Sequence, residues 1–460
     1  MLFNTLPFAL FLAVMLALFY LLPKPARRYL LLAGSVFFYM AWNPKFVVLL
    51  YGLITIDYFA AIWIRSRQGW QRRAALVISL AANLGLLGWF KYANFLRDTV
   101  LHFTRPGSAV VPLDIILPLG ISFHTFQSIS YVVDVYRAEQ PVIRSYLDYA
   151  LFVSFFPQLV AGPIVRAKEF FLDLFNWKAP TGPEWQHACA LILTGYFKKV
   201  ICADRFSLVA DRYFNNPALL PGFYPAWTGA IAFSLQIFFD FSGYTDIAIG
   251  VALLFGFHFP ENFRRPYLAA TITEFWRRWH ITLSSWLRDY VYITFGGNRH
   301  GAIRTYANLL ATMLLGGLWH GASWNFVIWG GYHGALLGIE RMVWGKTERK
   351  GWARIPFVIL TFLLTSIGWV FFRARGLDTA LYVIGEMFSE FPGRSLLNPW
   401  QWRLALATLA IAVAEEYWQG ITRLTLSPAW VRTVVAVAFL LAIELFSATD
   451  QNIPFVYFQF

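Results

Sequence analysis

From residue 6 to residue 448 this chain returns again and again to apolar runs long enough to cross a lipid bilayer. A membrane helix needs about 20 mostly apolar residues, because each adds only about 1.5 Å of rise. Candidate spans fall at 6–22, 29–42, 45–64, 73–92, 187–203, 225–256, 302–319, 323–341, 355–372, 402–419 and 430–448, and the 225–256 run is long enough for a tilted or broken span. Only 14% of the residues are charged, against about 25% in a soluble domain, which rules out a soluble enzyme core. The 20 tryptophans and 22 tyrosines suit the membrane interface, where one end of the ring is wet and the other dry. The expected fold is all-α and polytopic, with about 11 or more membrane helices in one integral membrane domain over 1–460.

Charge orients such a chain. The net charge of +13 sits largely in short loops, such as PKPARR at 23–28 and RSRQGWQRR at 65–73. The positive-inside rule puts those loops in the cytoplasm and the N-terminus outside. No solvated basic domain is left to bind nucleic acid. The run from residue 6 lacks a basic leader and a small-residue cleavage site, so it reads as a retained first span. Cys189 and Cys202 show neither metal-ligand spacing nor a disulfide framework, and the eight histidines are scattered, so no metal site is expected.

Two segments resist a simple span. Residues 117–137, LPLGISFHTFQSISYVVDVYR, are apolar but salted with Ser122, His124, Gln127 and Asp134; residues 151–166, LFVSFFPQLVAGPIVR, are short and hold two prolines. Irregular backbone at membrane depth survives only where protein or water satisfies it. Both segments are therefore expected to be re-entrant or broken helices lining an internal cavity. No internal repeat is visible, which counts against transporter folds built from two similar halves.

Polar residues concentrate in 260–301. Thr271 and Glu274 have capping-box spacing, so a helix is expected to start at Ile272. Continued at about 100° per residue, it would align Glu274, Arg277, Arg278, Ser285 and Arg288 on one face, with His280 between Trp276 and the arginines. Such a face is either an ordinary amphipathic surface or a wall of Arg277, Arg278 and Arg288 for an anionic donor such as a CoA phosphate, which a planar guanidinium binds bidentately. In IFFDFSGYTDIAIG, at 237–250, Asp240 and Asp246 lie in an apolar run. Intramembrane carboxylates need partners, and Arg277, Arg278 or Arg288 are the candidates.

The run LLGGLWHGASWNFVIWGG, at 314–331, holds one titratable side chain, His320, among glycines and tryptophans. It is either a core histidine with both nitrogens satisfied or a base. Gly316, Gly317 and Gly321 permit close approach of a backbone or substrate chain and weaken the helix, which would leave His320 at a helix end near a cavity. There it could take a proton from a hydroxyl. Trp319 and Asn325 of this run, with Asp240, Asp246, Glu274, His124 and Gln127, complete the candidate polar lining. The chain has no G-x-S-x-G elbow, phosphate-binding P-loop or H-E-x-x-H motif.

PENFRRPY, EFWRRWHITLSSWLRDYVYITFGGNR and GGLWHGASWNFVIWGGYHG resemble the membrane-bound O-acyltransferase family, as do SFHTFQSISYVVDVYR and FFPQLVAGPIVR. The likeness is to its bacterial branch, which includes alginate O-acetyltransferase and the D-alanyl transferase of teichoic acids. It covers about 30–375, with core motifs within 117–341; the tail after about 375 matches less clearly. It implies a funnel-shaped helical fold with a central tunnel in a bacterial inner membrane. A thioester donor, acetyl-CoA, would enter from the cytoplasm and a hydroxyl acceptor from outside. The family's near-invariant histidine falls on His320, as general base, and its second, more variable polar position on His280, orienting the acceptor or polarising the carbonyl. The implied acceptor is an extracytoplasmic polysaccharide or cell-wall hydroxyl, reached directly or through a partner protein. The rivals are a D-alanyl transferase fed by a carrier protein, a transporter or channel, and a subunit that only docks a periplasmic transferase.

Overall fold

The computed structural model describes residues 1, 3–105, 111–343, 351–418, 427–446 and 455–456. Those residues form helices, turns and loops, with no strand among them. Among the described residues, four helices are long and apolar enough to cross a membrane: Lys45–Ser66, Gly69–Thr104, Phe223–Leu254 and Gly351–Arg373. The shorter apolar helices are Leu6–Leu21 and Ala429–Ala442. The last residues expected for the spans 402–419 and 430–448 lie outside the described residues.

Packing divides the chain into two compact units, Met1–Ala188 with Ala248–Pro260 and Cys189–Ile247 with Glu261–Phe460. The first unit holds α1 (Leu6–Leu21), α2 (Lys24–Met40), α3 (Lys45–Ser66), α4 (Gly69–Leu87), α5 (Ala93–Thr104), α6 (Ile121–Arg137), α7 (Tyr146–Ser154) and α8 (Ala167–Phe175). A carboxylate buried in it, Asp57 of α3, is matched from α4: Ser79 Oγ donates at 2.5 Å and Asn83 Nδ2 at 2.8 Å.

The two expected irregular segments differ. Residues 121–137 form one unbroken helix, almost wholly buried, so the expected break in 117–137 is absent. A stretch without regular secondary structure at 111–118 and the left-handed Gly120 precede it instead. Among 151–166 the helix does end, at Ser154, because Pro157 lacks the N–H an α-helix needs. The buried backbone around this end finds other partners: Phe156 N donates to Ser35 Oγ at 3.1 Å, and the Phe152 carbonyl in the last turn accepts from Gln158 Nε2 at 2.5 Å.

The second unit holds most of α9 (Gly182–Phe197) and α11 (Phe223–Leu254), with α10 (Asp204–Phe214), α12 (Ile272–Arg278), α13 (Ile281–Trp286), α14 (Gly301–His320), α15 (Trp324–Val343), α16 (Ile355–Arg373), α17 (Leu377–Glu386), α18 (Pro399–Trp418) and α19 (Ala429–Phe446). Its framework is the α14–α15 hairpin. A β-carbon at Gly317 would strike the Phe326 carbonyl oxygen, and one at Gly330 the Met313 carbonyl oxygen. The two backbones therefore touch through glycines, the small-residue packing that suits helices lacking a hydrophobic drive toward each other. Gly330→Val is expected to lower stability by about 1–3 kcal/mol, the usual cost of overpacking, read as a lower unfolding temperature in detergent. An unchanged temperature would show that the helices pack elsewhere.

Candidate functional site

Thr271 starts α12 as expected: its Oγ1 accepts from Glu274 N at 3.0 Å. Glu340 of α15 supports the same helix end, accepting from Ile272 N at 2.5 Å and Thr273 N at 3.2 Å. A carboxylate at a helix N-terminus satisfies backbone N–H groups that lack an intrahelical partner.

The helix does not continue as the periodicity suggested. It ends at Arg278; Trp279 is extended and His280 is left-handed, with φ 42° and ψ 56°, before α13 begins. The loop before α12 is bonded to both sides of the break. Arg264 N donates to the Arg278 carbonyl at 2.9 Å, and Ile281 N to the Asn262 carbonyl at 2.9 Å. The single face of Glu274, Arg277, Arg278, Ser285 and Arg288 is thus split, because loop backbone competes successfully for the helix's own hydrogen bonds.

The arginines have separate surroundings. Arg278 is half-buried between Glu274, at 2.8 Å, and Glu416, at 2.9 Å. Arg265 adds to Glu416 at 2.6 Å and Arg354 to Glu274 at 2.6 Å. Arg277 is exposed, and Arg288 is exposed beside Asp289 at 2.7 Å. None of the three reaches Asp240 or Asp246 in an ion pair among the described residues. Lysines take that place: Lys199 bridges Asp240 at 2.7 Å and Asp204 at 2.8 Å, and Lys198 meets Asp246 at 2.5 Å. Both lysines lie in a π-helical turn, Lys198–Ala203, directly after α9. Val456 N also donates to Asp240, at 2.6 Å.

His320 is the last residue of α14, and Gly321 continues in extended backbone. The expected helix end is there. The helix C-terminus points its negative dipole end toward a ring that becomes cationic on accepting a proton. His320 is buried at 6% exposure and its ring packs edge-on against Trp319, Trp329 and Phe372, with centroids 4.9, 5.1 and 5.2 Å away. His280, fully buried, lies on the same Trp319, 6.0 Å between centroids, and against Phe241 at 4.7 Å. The two histidine rings therefore share one indole neighbour. Asn325 lies at the start of α15, its Nδ2 donating to the Ala374 carbonyl at 2.9 Å. His124 and Gln127 lie in α6 of the other unit.

Three polar residues of this unit were not among the expected site residues. His333 of α15 extends the ring row, 5.0 Å from Trp329 and 5.2 Å from Trp276; neither ring nitrogen has a hydrogen-bond partner among the described residues. Its position in a second glycine-rich stretch, GGYHG, was the available signal. Lys199 could have been found as a lysine inside an apolar run. Asn262 carried no periodic signal.

The profile of MBOAT, the membrane-bound O-acyltransferase family, matches residues 59–359. The chain belongs to the membrane-bound O-acyltransferase family. A probable alginate O-acetylase AlgI of Pseudomonas putida is 40% identical, with 98% of each chain covered. A peptidoglycan O-acetyltransferase of Helicobacter pylori is 40% identical over 78% of this chain and 73% of its own. A teichoic acid D-alanyltransferase of Bacillus subtilis is 30% identical over 61% of this chain and 75% of its own. This membrane-bound O-acyltransferase is thus a multi-pass membrane enzyme, and His280, His320 and His333 all fall within the matched residues.

Proposed function

We propose that this enzyme moves an acetyl group from acetyl-CoA, on the cytoplasmic side of a bacterial inner membrane, to a hydroxyl of an extracytoplasmic polysaccharide or cell-wall polymer, directly or through a partner protein. Acetyl is favoured over D-alanyl because the two relatives at 40% identity are O-acetylating enzymes by name, and the D-alanyltransferase stands at 30%. The observation that carries the reading is the pair of buried histidines that both pack against Trp319.

In the proposed step His320 accepts the proton of the acceptor hydroxyl as its oxygen attacks the thioester carbonyl. The carbon–sulfur bond breaks, the ester forms, and the thiolate leaves as CoA thiol with the proton that His320 held. His280 orients the acceptor or polarises the carbonyl. Holding both reactants in reacting geometry supplies much of the rate. A tunnel joining both membrane faces at His320 would let acetyl cross while the charged CoA stays out of lipid. Trp319 and Asn325, with Asp240, Asp246 and Glu274, are proposed as its polar and structural support.

The test is purified protein given radiolabelled acetyl-CoA and an extracytoplasmic polysaccharide. Label on the acceptor with release of CoA supports the reading. Acceptor flux without label favours a transporter, and transfer only from a D-alanyl carrier protein favours the alanyl branch. For the donor, Arg277→Glu and Arg288→Glu are expected to weaken CoA binding more than the lysine variants do, since lysine keeps the charge. Unchanged CoA affinity in both glutamate variants removes these arginines from the donor site. Arg278, held by two carboxylates, is expected to act through the ion-pair network.

A further inference from the structure

We infer that Asn262 is a positioning residue that holds His280 in a single tautomer, with the proton on Nδ1 and the lone pair on Nε2. The inference rests on the reading that His280 serves the acyl transfer. Its basis is a hydrogen-bond constraint. Asn262 is buried at 1% exposure. Its Oδ1 lies 3.2 Å from Thr282 N, 2.9 Å from Thr282 Oγ1 and 3.1 Å from His280 Nδ1. A backbone N–H only donates, so the atom facing Thr282 N has to be the amide oxygen; the usual ambiguity between amide oxygen and nitrogen is removed. That oxygen only accepts. His280 Nδ1 therefore donates to it, and a neutral imidazole that donates from Nδ1 is basic at Nε2.

The surrounding backbone fixes the same arrangement. The Asn262 carbonyl accepts from Ile281 N at 2.9 Å, so side chain and main chain of one residue hold the His280 ring and the two residues that follow it. His280 itself is left-handed, φ 42°, a conformation rare outside glycine but several-fold enriched in histidine, asparagine and aspartate. Phe241 and Trp319 close on the ring, at 4.7 and 6.0 Å. Rotating the ring to offer Nδ1 as the base would leave the Asn262 oxygen without this donor and turn the ring within a packed site. A partner that sets the tautomer and direction of a working imidazole acts through that imidazole, and its loss typically costs about 10–100-fold.

The experiment combines nitrogen-15 spectroscopy of histidine-labelled protein with the acetyl-transfer assay. The wild type is expected to show His280 protonated at Nδ1, assigned by loss of the signal in His280→Gly, which keeps the left-handed backbone. Asn262→Leu is expected to lose or mix that tautomer and to lower kcat about 10–100-fold, with the KM for acetyl-CoA little changed. Asn262→Asp keeps an acceptor oxygen and is expected to restore the Nδ1–H signal. Thr282→Val removes only a hydroxyl donor and is expected to leave the signal as in wild type. An Nε2–H signal in the wild type overturns the inference. So does Asn262→Leu that is folded and inactive with its Nδ1–H signal intact, which would make Asn262 a purely structural cap of α13. Wild-type turnover in His280→Gly instead sinks the catalytic reading of His280, and leaves the tautomer result standing.

Discussion

His320→Ala is expected to abolish acetyl transfer while the protein still accumulates in the membrane. The ring closes α14 at the one point where the glycine-rich run breaks, and it shares Trp319 with His280. Removing a general base costs typically about 10²–10⁴-fold. The loss should be almost entirely in kcat, because a base acts in the transition state more than in donor binding. Packing is the competing explanation, since the ring also touches Trp329 and Phe372. His320→Gln separates the two: it keeps volume and hydrogen-bonding capacity but cannot serve as a base. An inactive, normally folded glutamine variant supports base catalysis. A glutamine variant with near-wild-type turnover, measured at matched protein level, removes His320 from the chemistry.

Asp240→Leu is expected to be the most damaging single change to stability in the second unit. Lys199 and Asp240 are 1% and 2% exposed, 2.7 Å apart, and Asp204 is 2.8 Å from the same ammonium. Removing one partner of a buried ion pair costs about 3–5 kcal/mol, because the remaining charge loses its compensation without regaining water. Asp240 also accepts from Val456 N, which would lose its acceptor. The triple variant Lys199→Met, Asp204→Leu, Asp240→Leu is expected to recover most of the loss, since an apolar replacement of the whole cluster leaves no buried charge. Unfolding in detergent by heat or denaturant reads both variants. Equal stability of Asp240→Leu and the wild type would show that Lys199 needs only Asp204.

Much of the helix map is legible in the sequence, since long apolar stretches have few alternatives in a bilayer. The ends of α14 and α15 fall within a few residues of the expected 302–319 and 323–341, because glycines and a polar turn punctuate that stretch. The start of α12 is equally legible, from the capping pair Thr271 and Glu274. The break just beyond Arg278 is not. It depends on backbone bonds from Asn262 and Arg264, which lie outside the helix; periodicity sees only the helix itself. The partners of Asp240 and Asp246 escape for a related reason. Arginines on a regular helix look reachable, whereas Lys198 and Lys199 are presented by a π-helical turn that no composition rule marks. His320 stands out because it is alone in an apolar run. His333 lies in the second glycine-rich stretch, GGYHG, yet a second histidine after a further tryptophan reads as one more core ring until the packing places it beside Trp329.

That π-helical turn has a consequence for how this region tolerates insertions and deletions. A π-turn is an α-helix carrying one residue more than its register requires. Losing a single residue between Lys198 and Ala203 would let the stretch relax to an ordinary α-helix with α9 and α10 still in register, and the side chains of the turn itself would be re-aimed. Lys198 and Lys199 would then leave the sides facing Asp246 and Asp240, with no side chain substituted. The count of residues here is part of the information the helix carries. A scan that changes only side-chain identity, at Val200 for example, would never reveal it, whereas a one-codon deletion would strike two ion pairs at once.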